Sequence, residues 1–320
     1  MRPKCLVARS VFPDILAQLE AHYDVTTHHG ELPLTQAQLI EALQGKQAVF
    51  STVIEPFNAT VLRACPSLRM IGLMGVGYNN VDLAVASECG IMVSNTPDVL
   101  TETTADFGFA LLLATARRVT EAEQWLRAGH WQDWRFDRFL GCDVHGSTLG
   151  ILGMGRIGQA IARRARGFGM EIIYHNRKQL AQEQELGAQW VSLEQLLRQS
   201  DHLILILPYS NAVHHILGAP ELALMKSSAT LINLARGGIV DDAALIKALQ
   251  AKQLAGAGLD VFENEPAFDP AFLTCQNVVL TPHIASASVP TRRKMAQRAV
   301  DNLIAALTGI PPDCLNPQSV

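Results

Sequence analysis

Long basic runs are missing from this chain, whose formal net charge is -4. The electrostatic footprint of a nucleic-acid binder is therefore absent, and no nucleic-acid partner is expected. Long apolar runs are missing too. The most apolar stretches, residues 107–114 and 203–208, fall well short of the roughly 18 to 20 residues that cross a bilayer, so no membrane partner is expected. The N-terminus, Met1-Arg2-Pro3-Lys4-Cys5-Leu6-Val7-Ala8, places charge before an apolar run. That run is shorter than a secretory signal's and Arg9 ends it, so the segment reads as a first strand and the protein as cytoplasmic. The six cysteines (Cys5, Cys65, Cys89, Cys142, Cys275, Cys314) show no C-x-x-C spacing. That pattern argues for reduced, buried thiols rather than a thiolate metal cluster. The doublets His28-His29 and His214-His215 are expected to point apart, as neighbours on a strand or helix do, and no metal is expected.

What is present is 48% hydrophobic residues and 23 glycines in 320 residues, enough for two cores. Short β-branched runs near residues 5–8, 25, 48–50, 70–73 and 91–93 alternate with helical patterns at 13–21, 35–43, 58–64 and 81–88. Such βα steps imply a parallel sheet covered on both faces. An apolar helix over 102–116, flanked by threonines, is expected to link two domains. Residues 129–146 carry Trp131, Trp134, Phe136 and Phe139 with neither helical nor strand period, and read as a structured arm that packs on a second subunit. A second series follows, with strands at 148–152, 171–174, 202–207, 230–234, 256–260 and 277–280 and helices at 156–167 and 241–252. A last helix over 291–308 returns to the first domain. The expected class is α/β, with two doubly wound parallel-sheet domains.

Gly153-Met154-Gly155-Arg156-Ile157-Gly158 directly follows one of these strands and opens an amphipathic helix with Ile157, Ile161 and Ala165 on one side. In that context G-x-G-x-x-G has a mechanism. Gly153 permits the tight turn, Gly155 lets backbone approach a pyrophosphate, Gly158 allows close helix packing, and the helix N-terminus attracts the anion. The other cluster, Gly72-Leu73-Met74-Gly75-Val76-Gly77, lacks the Lys-Ser/Thr of a phosphate-binding Walker loop and reads on spacing alone equally as a strand-to-helix turn. The strand after the fingerprint helix ends Tyr174-His175-Asn176-Arg177-Lys178. No carboxylate stands there to bind the adenosine ribose of NADH, whereas two cations suit a 2'-phosphate. NADPH is the expected cofactor, with NADH weaker. The Y-x-x-x-K spacing in this segment, which short-chain dehydrogenases place on a downstream helix, is coincidental at a strand end.

Three expected strands each end in one notable residue: Arg236, Asp260 and His283. In a parallel sheet these ends share one edge, where ligands bind, and Glu265 lies close enough in sequence to fold back over it. A guanidinium that holds a carboxylate and polarises a ketone, with a histidine that protonates the oxygen, suits hydride transfer to a 2-oxo acid. A carboxylate beside the imidazole stabilises its charged form.

Asn233-Leu234-Ala235-Arg236-Gly237-Gly238-Ile239-Val240-Asp241, Gly258-Leu259-Asp260-Val261-Phe262-Glu263-Asn264-Glu265-Pro266 and Thr281-Pro282-His283-Ile284-Ala285 resemble signatures of the D-isomer-specific 2-hydroxyacid dehydrogenase family. The glycine fingerprint and Gly75-Val76-Gly77-Tyr78-Asn79-Asn80-Val81-Asp82 are similar as well, so the resemblance covers nearly the whole chain. It implies a catalytic triad of Arg236, Glu265 and His283, with the amides of Val76 and Gly77 cradling the substrate carboxylate beside Met74. It also implies that Asp260 holds the nicotinamide carboxamide and that Thr104, Pro208 and Ala235 line the cofactor cleft. Residues 1–98 plus 288–320 would form a flavodoxin-like substrate domain and 99–287 a Rossmann dinucleotide-binding domain, with the active site in the cleft between them. Subunits would pair as a homodimer through the coenzyme domains. Asn176-Arg177, together with Met225-Lys226-Ser227-Ser228-Ala229 and Asp143-Val144-His145-Gly146, is similar to the glyoxylate, hydroxypyruvate and 2-ketogluconate reductase branch. The expected substrate is therefore a small 2-oxo acid. Two alternatives are an NAD(H)-sensing corepressor-like binding protein and an NAD-dependent phosphoglycerate-type dehydrogenase.

Overall fold

A computed structural model describes residues 2–30 and 32–317; residues 1, 31 and 318–320 of the expected substrate domain lie outside the described residues. The chain divides into two compact units, Met1–Leu100 with Ser288–Val320, and Thr101–Ala287.

The first unit runs β1 (Lys4–Val7), α1 (Pro13–His22), β2 (Asp24–Thr27), α2 (Gln36–Leu43), β3 (Ala48–Ser51), α3 (Ala59–Ala64), β4 (Met70–Leu73), α4 (Leu83–Glu88) and β5 (Met92–Ser94), with a C-terminal helix Val289–Ala305. The five strands form one parallel sheet in the order β2-β1-β3-β4-β5. Alternation along β1 sorts the core into two layers. Leu6 joins Leu39, Leu62 and Ala86 on one face, and Cys5 and Val7 join Leu19, Ala299 and Leu303 on the other. Each of the buried leucines and Val7 contributes about 1.5–3 kcal/mol relative to exposure, and the alanines less. Helix starts follow local chemistry. Thr35 and Gln38 form a capping box, while Asn58 and Asp82 accept from Val61 and Val85 amides. Asn58, expected to begin α3, and Asp82, expected within the first turn of α4, thus stand just outside them as caps.

The second unit runs α5 (Thr101–Ala116), α6 (Val119–Arg127), β6 (Thr148–Leu152), α7 (Arg156–Gly167), β7 (Glu171–His175), α8 (Glu183–Leu186), β8 (Ala188–Trp190), α9 (Leu193–Gln199), β9 (His202–Leu205), α10 (Ala219–Leu222), β10 (Thr230–Asn233), α11 (Asp242–Gln250), β11 (Gly256–Leu259) and β12 (Val278–Leu280). Its seven parallel strands take the order β12-β11-β10-β9-β6-β7-β8. Ile204 and Ile232 face a layer with α5 and α7, whereas Leu203, Leu205 and Leu231 face one with α9 and α11. The expected two doubly wound parallel sheets are present. Elements α6, α8, β8, α9 and α10 were not expected from sequence.

Residues 129–146 contain no strand or helix, yet the segment is internally braced. Asp133 pairs with Arg135 and Arg138 at 2.8 and 3.0 Å, Arg138 lies over the Trp125 ring at 4.5 Å, and Phe139 meets that ring edge-on. Trp131, Trp134 and Phe136 are left exposed, Trp134 to 80%. The histidine doublet corrects the sequence reading: His214 and His215 stack with centroids 3.9 Å apart instead of pointing apart. They lie in a loop where His215 takes a left-handed backbone, φ 51°, so strand or helix alternation does not govern them. Among the described residues, no cluster of three or more His, Cys, Asp or Glu could hold a metal ion, and no helix is long and apolar enough to cross a membrane.

Candidate active site

Strand β6 is flanked by β7 and β9, the point where the strand order reverses and the loops leave a crevice. The glycine fingerprint occupies that position. Gly153 has φ +107°, and a Cβ there would come within 2.8 Å of the Ile206 carbonyl carbon and oxygen and the Leu207 nitrogen, so the ends of β6 and β9 approach as only glycine allows. Gly158 sits against the Gly153 carbonyl, while Gly155 has nothing within 4 Å of where a Cβ would be. Helix α7 opens at Arg156 behind Gly155, with no side-chain cap on its first amides, and Ile157 packs into the core. An open glycine before uncapped amides fits a pyrophosphate.

At the end of β7, Asn176 is already engaged, its Oδ1 accepting from the Met154 amide at 2.7 Å. Its carbonyl accepts from Trp190 Nε1 at 3.1 Å, and the His175 and Trp190 rings stack. Trp190 was not singled out in the sequence, although a tryptophan closing a short strand was a visible cue. Arg177 and Lys178 are exposed, and neither pairs with a described acidic residue. Pro208 lies exposed after β9, Thr104 is buried in α5, and buried Ala235 donates its amide to Asn233 Oδ1 at 3.0 Å.

Strands β10, β11 and β12 are parallel neighbours, which brings Arg236, Asp260 and His283 to one sheet edge. Arg236 Nη1 donates to the Ala235 carbonyl at 2.7 Å. Burial lowers the guanidinium from its ordinary value and the nearby Glu265 charge pulls it back. Glu265 Oε1 accepts from the Phe262 amide at 2.8 Å, and its Oε2 lies 2.8 Å from His283 Nδ1. That contact assigns the Nδ1 proton to the carboxylate side and leaves Nε2 as the ring's working nitrogen.

His283 has φ 53°, a conformation a histidine holds only when its surroundings over-determine it. Asp260 supplies the restraint. Its carbonyl accepts from the His283 amide at 2.9 Å, and its carboxylate accepts from Thr281 Oγ1, the Ile284 amide and the Ala285 amide at 2.7, 2.8 and 2.8 Å. Burial pushes the Asp260 carboxyl up, and these donors with the His283 charge hold it back. The visible work of this carboxylate is to anchor the histidine loop, a task the sequence reading had not assigned to it.

Met74, Val76 and Gly77 belong to the first unit. The Met74 amide donates to the Ser51 carbonyl at 2.8 Å, and the Val76 carbonyl accepts from Asn95 Nδ2 at 2.8 Å. The amides of Val76 and Gly77 donate to no described residue. Asn80 Nδ2 ties this turn to its neighbour by donating to the Thr52 and Glu55 carbonyls at 3.2 and 2.8 Å.

Residues 109–285 match the family described as D-isomer specific 2-hydroxyacid dehydrogenase, NAD binding domain. The chain is 46% identical over 324 residues to a glyoxylate reductase of Korarchaeum cryptofilum, covering 100% of this chain and 98% of the relative. It is 44% identical over 326 residues to a glyoxylate reductase of Thermococcus kodakarensis, covering 100% and 98%. Among solved structures, an NADPH-dependent glyoxylate/hydroxypyruvate reductase of Sinorhizobium meliloti in complex with NADP and malonate is similar at a TM-score of 0.89. That pair shares 38% identity, covering 100% of this chain and 98% of the other.

Proposed function

The chain belongs to the D-isomer specific 2-hydroxyacid dehydrogenase family, and from that premise we propose that it is an NADPH-preferring reductase of small 2-oxo acids in which His283 donates the proton. It is an oxidoreductase dependent on a nicotinamide cofactor. The observation that carries the reading is the Glu265–His283 pair at 2.8 Å. It fixes the ring's orientation and leaves Nε2–H for the substrate oxygen. The bound nicotinamide supplies the hydride. Arg236 anchors the carboxylate and polarises the ketone, and His283 ends neutral as the 2-hydroxy acid forms. Gly153, Gly155 and Gly158 would cradle the pyrophosphate. A second copy is the proposed partner of the exposed arm around Trp134, giving a homodimer through the coenzyme-binding units.

Cofactor choice is proposed to rest on Arg177 and Lys178, because Asn176 offers no carboxylate to the ribose of NADH. A charge-assisted contact to the 2'-phosphate contributes on the order of 1.5 to 3 kcal/mol, so kcat/KM should favour NADPH by roughly ten- to a hundredfold. Replacing Arg177 with alanine is expected to raise KM for NADPH and leave NADH kinetics nearly unchanged. Equal losses for both cofactors would show that Arg177 supports the loop structurally, and a wild type favouring NADH would overturn the preference itself.

Small polar substrates are expected to be preferred. The relatives named above are glyoxylate or glyoxylate/hydroxypyruvate reductases, and the same branch includes 2-ketogluconate reductases. A steady-state panel of glyoxylate, hydroxypyruvate, 2-ketogluconate and phenylpyruvate measures this. Phenylpyruvate leading by kcat/KM would reject it.

A further inference from the structure

The turn that carries Glu265 is gripped by residues that have no place in the proposed chemistry. Asp242, the first residue of α11, is buried. The helix does not need it as a cap, because Asp241 already caps α11 by accepting from the Ala244 amide at 3.0 Å. The hydrogen bond the Asp242 carboxylate makes is to the Glu263 amide, 3.0 Å from its Oδ2. Burial first, then the charges of Glu263, Asp241 and Asp269, push this carboxyl up to about 6 against the lowering effect of that amide. A buried charge kept at this cost beside a reactive loop calls for a role.

The Phe262–Glu263 peptide is held from three sides. Its N–H points at Asp242, and its carbonyl oxygen fills the place where a Gly237 Cβ would stand, 1.8 Å away. The Glu263 side chain lies 2.7 Å from His215 Nε2, and the His215 amide donates to the Gly238 carbonyl at 2.7 Å. One residue earlier, the Phe262 amide fixes Glu265 Oε1 at 2.8 Å. The donor to Glu265 is thus the N–H of the peptide just before the clamped one, so the aim of Glu265 at His283 depends on how the backbone at Phe262 is held.

We infer that Asp242 is a positioning residue which, with the His215–Glu263 pair, sets the Phe262–Glu263 peptide so that Glu265 meets His283. The inference rests on the function proposed above. Asp242→Leu fills similar volume without an acceptor, and Asp242→Asn keeps an oxygen for the Glu263 amide while removing the charge. Glyoxylate reduction with NADPH is followed from pH 6 to 9. Asp242→Leu is expected to lower kcat roughly tenfold, to leave KM for NADPH unchanged and to change the shape of the pH–rate profile, because Glu265 no longer meets the imidazole. Asp242→Asn is expected to restore both readouts. Asp242→Ala, which leaves space, repeats the test if the leucine does not fit.

Melting adds a check on the charge itself. A carboxyl raised to about 6 from its ordinary 3.8 favours the folded state while protonated, and that contribution is lost as pH rises through 6. Asp242→Asn should therefore melt several degrees above wild type at pH 8 and lose the advantage near pH 4. Wild-type kcat and profile in a folded Asp242→Leu, or an Asn variant as impaired as the Leu variant, overturns the positioning role. If the wild type reduces no 2-oxo acid, the proposed function and this inference fall together. An active wild type beside an inactive His283→Ala and an unaffected Asp242→Leu removes the inference alone.

Discussion

Replacing His283 with alanine is expected to lower kcat by roughly 10²- to 10⁴-fold while NADPH binds as before. The size follows from what the imidazole is asked to do. Nδ1 is 2.8 Å from Glu265 Oε2, so the ring is held in one orientation and its Nε2 proton is ready for a developing alkoxide. Alanine leaves water to protonate that oxygen without orientation. The fingerprint proposed to grip the cofactor is tied to the end of β7 through Met154 and Asn176, in contacts that do not involve His283, so cofactor affinity should not follow kcat. Stopped-flow titration of NADPH fluorescence beside steady-state turnover separates the two. Near-normal turnover in the variant would remove His283 from the proton path.

Gly237→Ala is expected to cost roughly 10²-fold in kcat, together with a clear drop in melting temperature. A Cβ at this position would lie 1.8 Å from the Phe262 carbonyl oxygen and 2.2 Å from its carbon. These are backbone atoms with no rotamer through which to yield, so the two loops must separate by about an ångström. One loop carries Arg236 beside Gly237 and the other carries Glu265, and displacements of that size between reacting groups cost on the order of 100-fold. Overpacking of this kind destabilises by about 1–3 kcal/mol or more. Gly309→Ala is the control, since nothing lies within 4 Å of its Cβ position. Equal kinetics and melting for the two variants would mean that the loops adjust freely.

Much of the architecture was legible because it is periodic. The β-branched runs gave the strands, and the glycine fingerprint marked the reversal of strand order at β6. Boundaries were less legible where a polar residue serves as a cap: Asn58, Asp82 and Asp241 were read as helical, and each accepts a hydrogen bond from just outside its helix. Helix α9 escaped notice although Ser192 and Gln195 form a capping box, because its seven residues are too few to establish a period.

At the candidate site, residue types at strand ends were readable and the contacts between loops were not. That Asp260 restrains a left-handed His283, that Trp190 holds Asn176, and that Asp242 reaches Glu263 all depend on how loop backbone curls after each strand. No residue spacing encodes that curl. The histidine doublet misled for the same reason: a rule for regular elements was applied to residues in a turn.

The first unit closes only when the C-terminal helix arrives. Leu303 lies within 2.8 Å of where a Gly72 Cβ would stand, and the Tyr23 hydroxyl donates to the Leu303 carbonyl at 2.6 Å. During synthesis the middle of the chain, residues 101–287, is complete and can fold while the sheet made before it has only α1 over part of one apolar face. A chain truncated before Ser288 would therefore leave Cys5, Val7 and Met70 without the cover of Ala299, Val300 and Leu303, so the last residues made decide whether the first sheet is sealed from water.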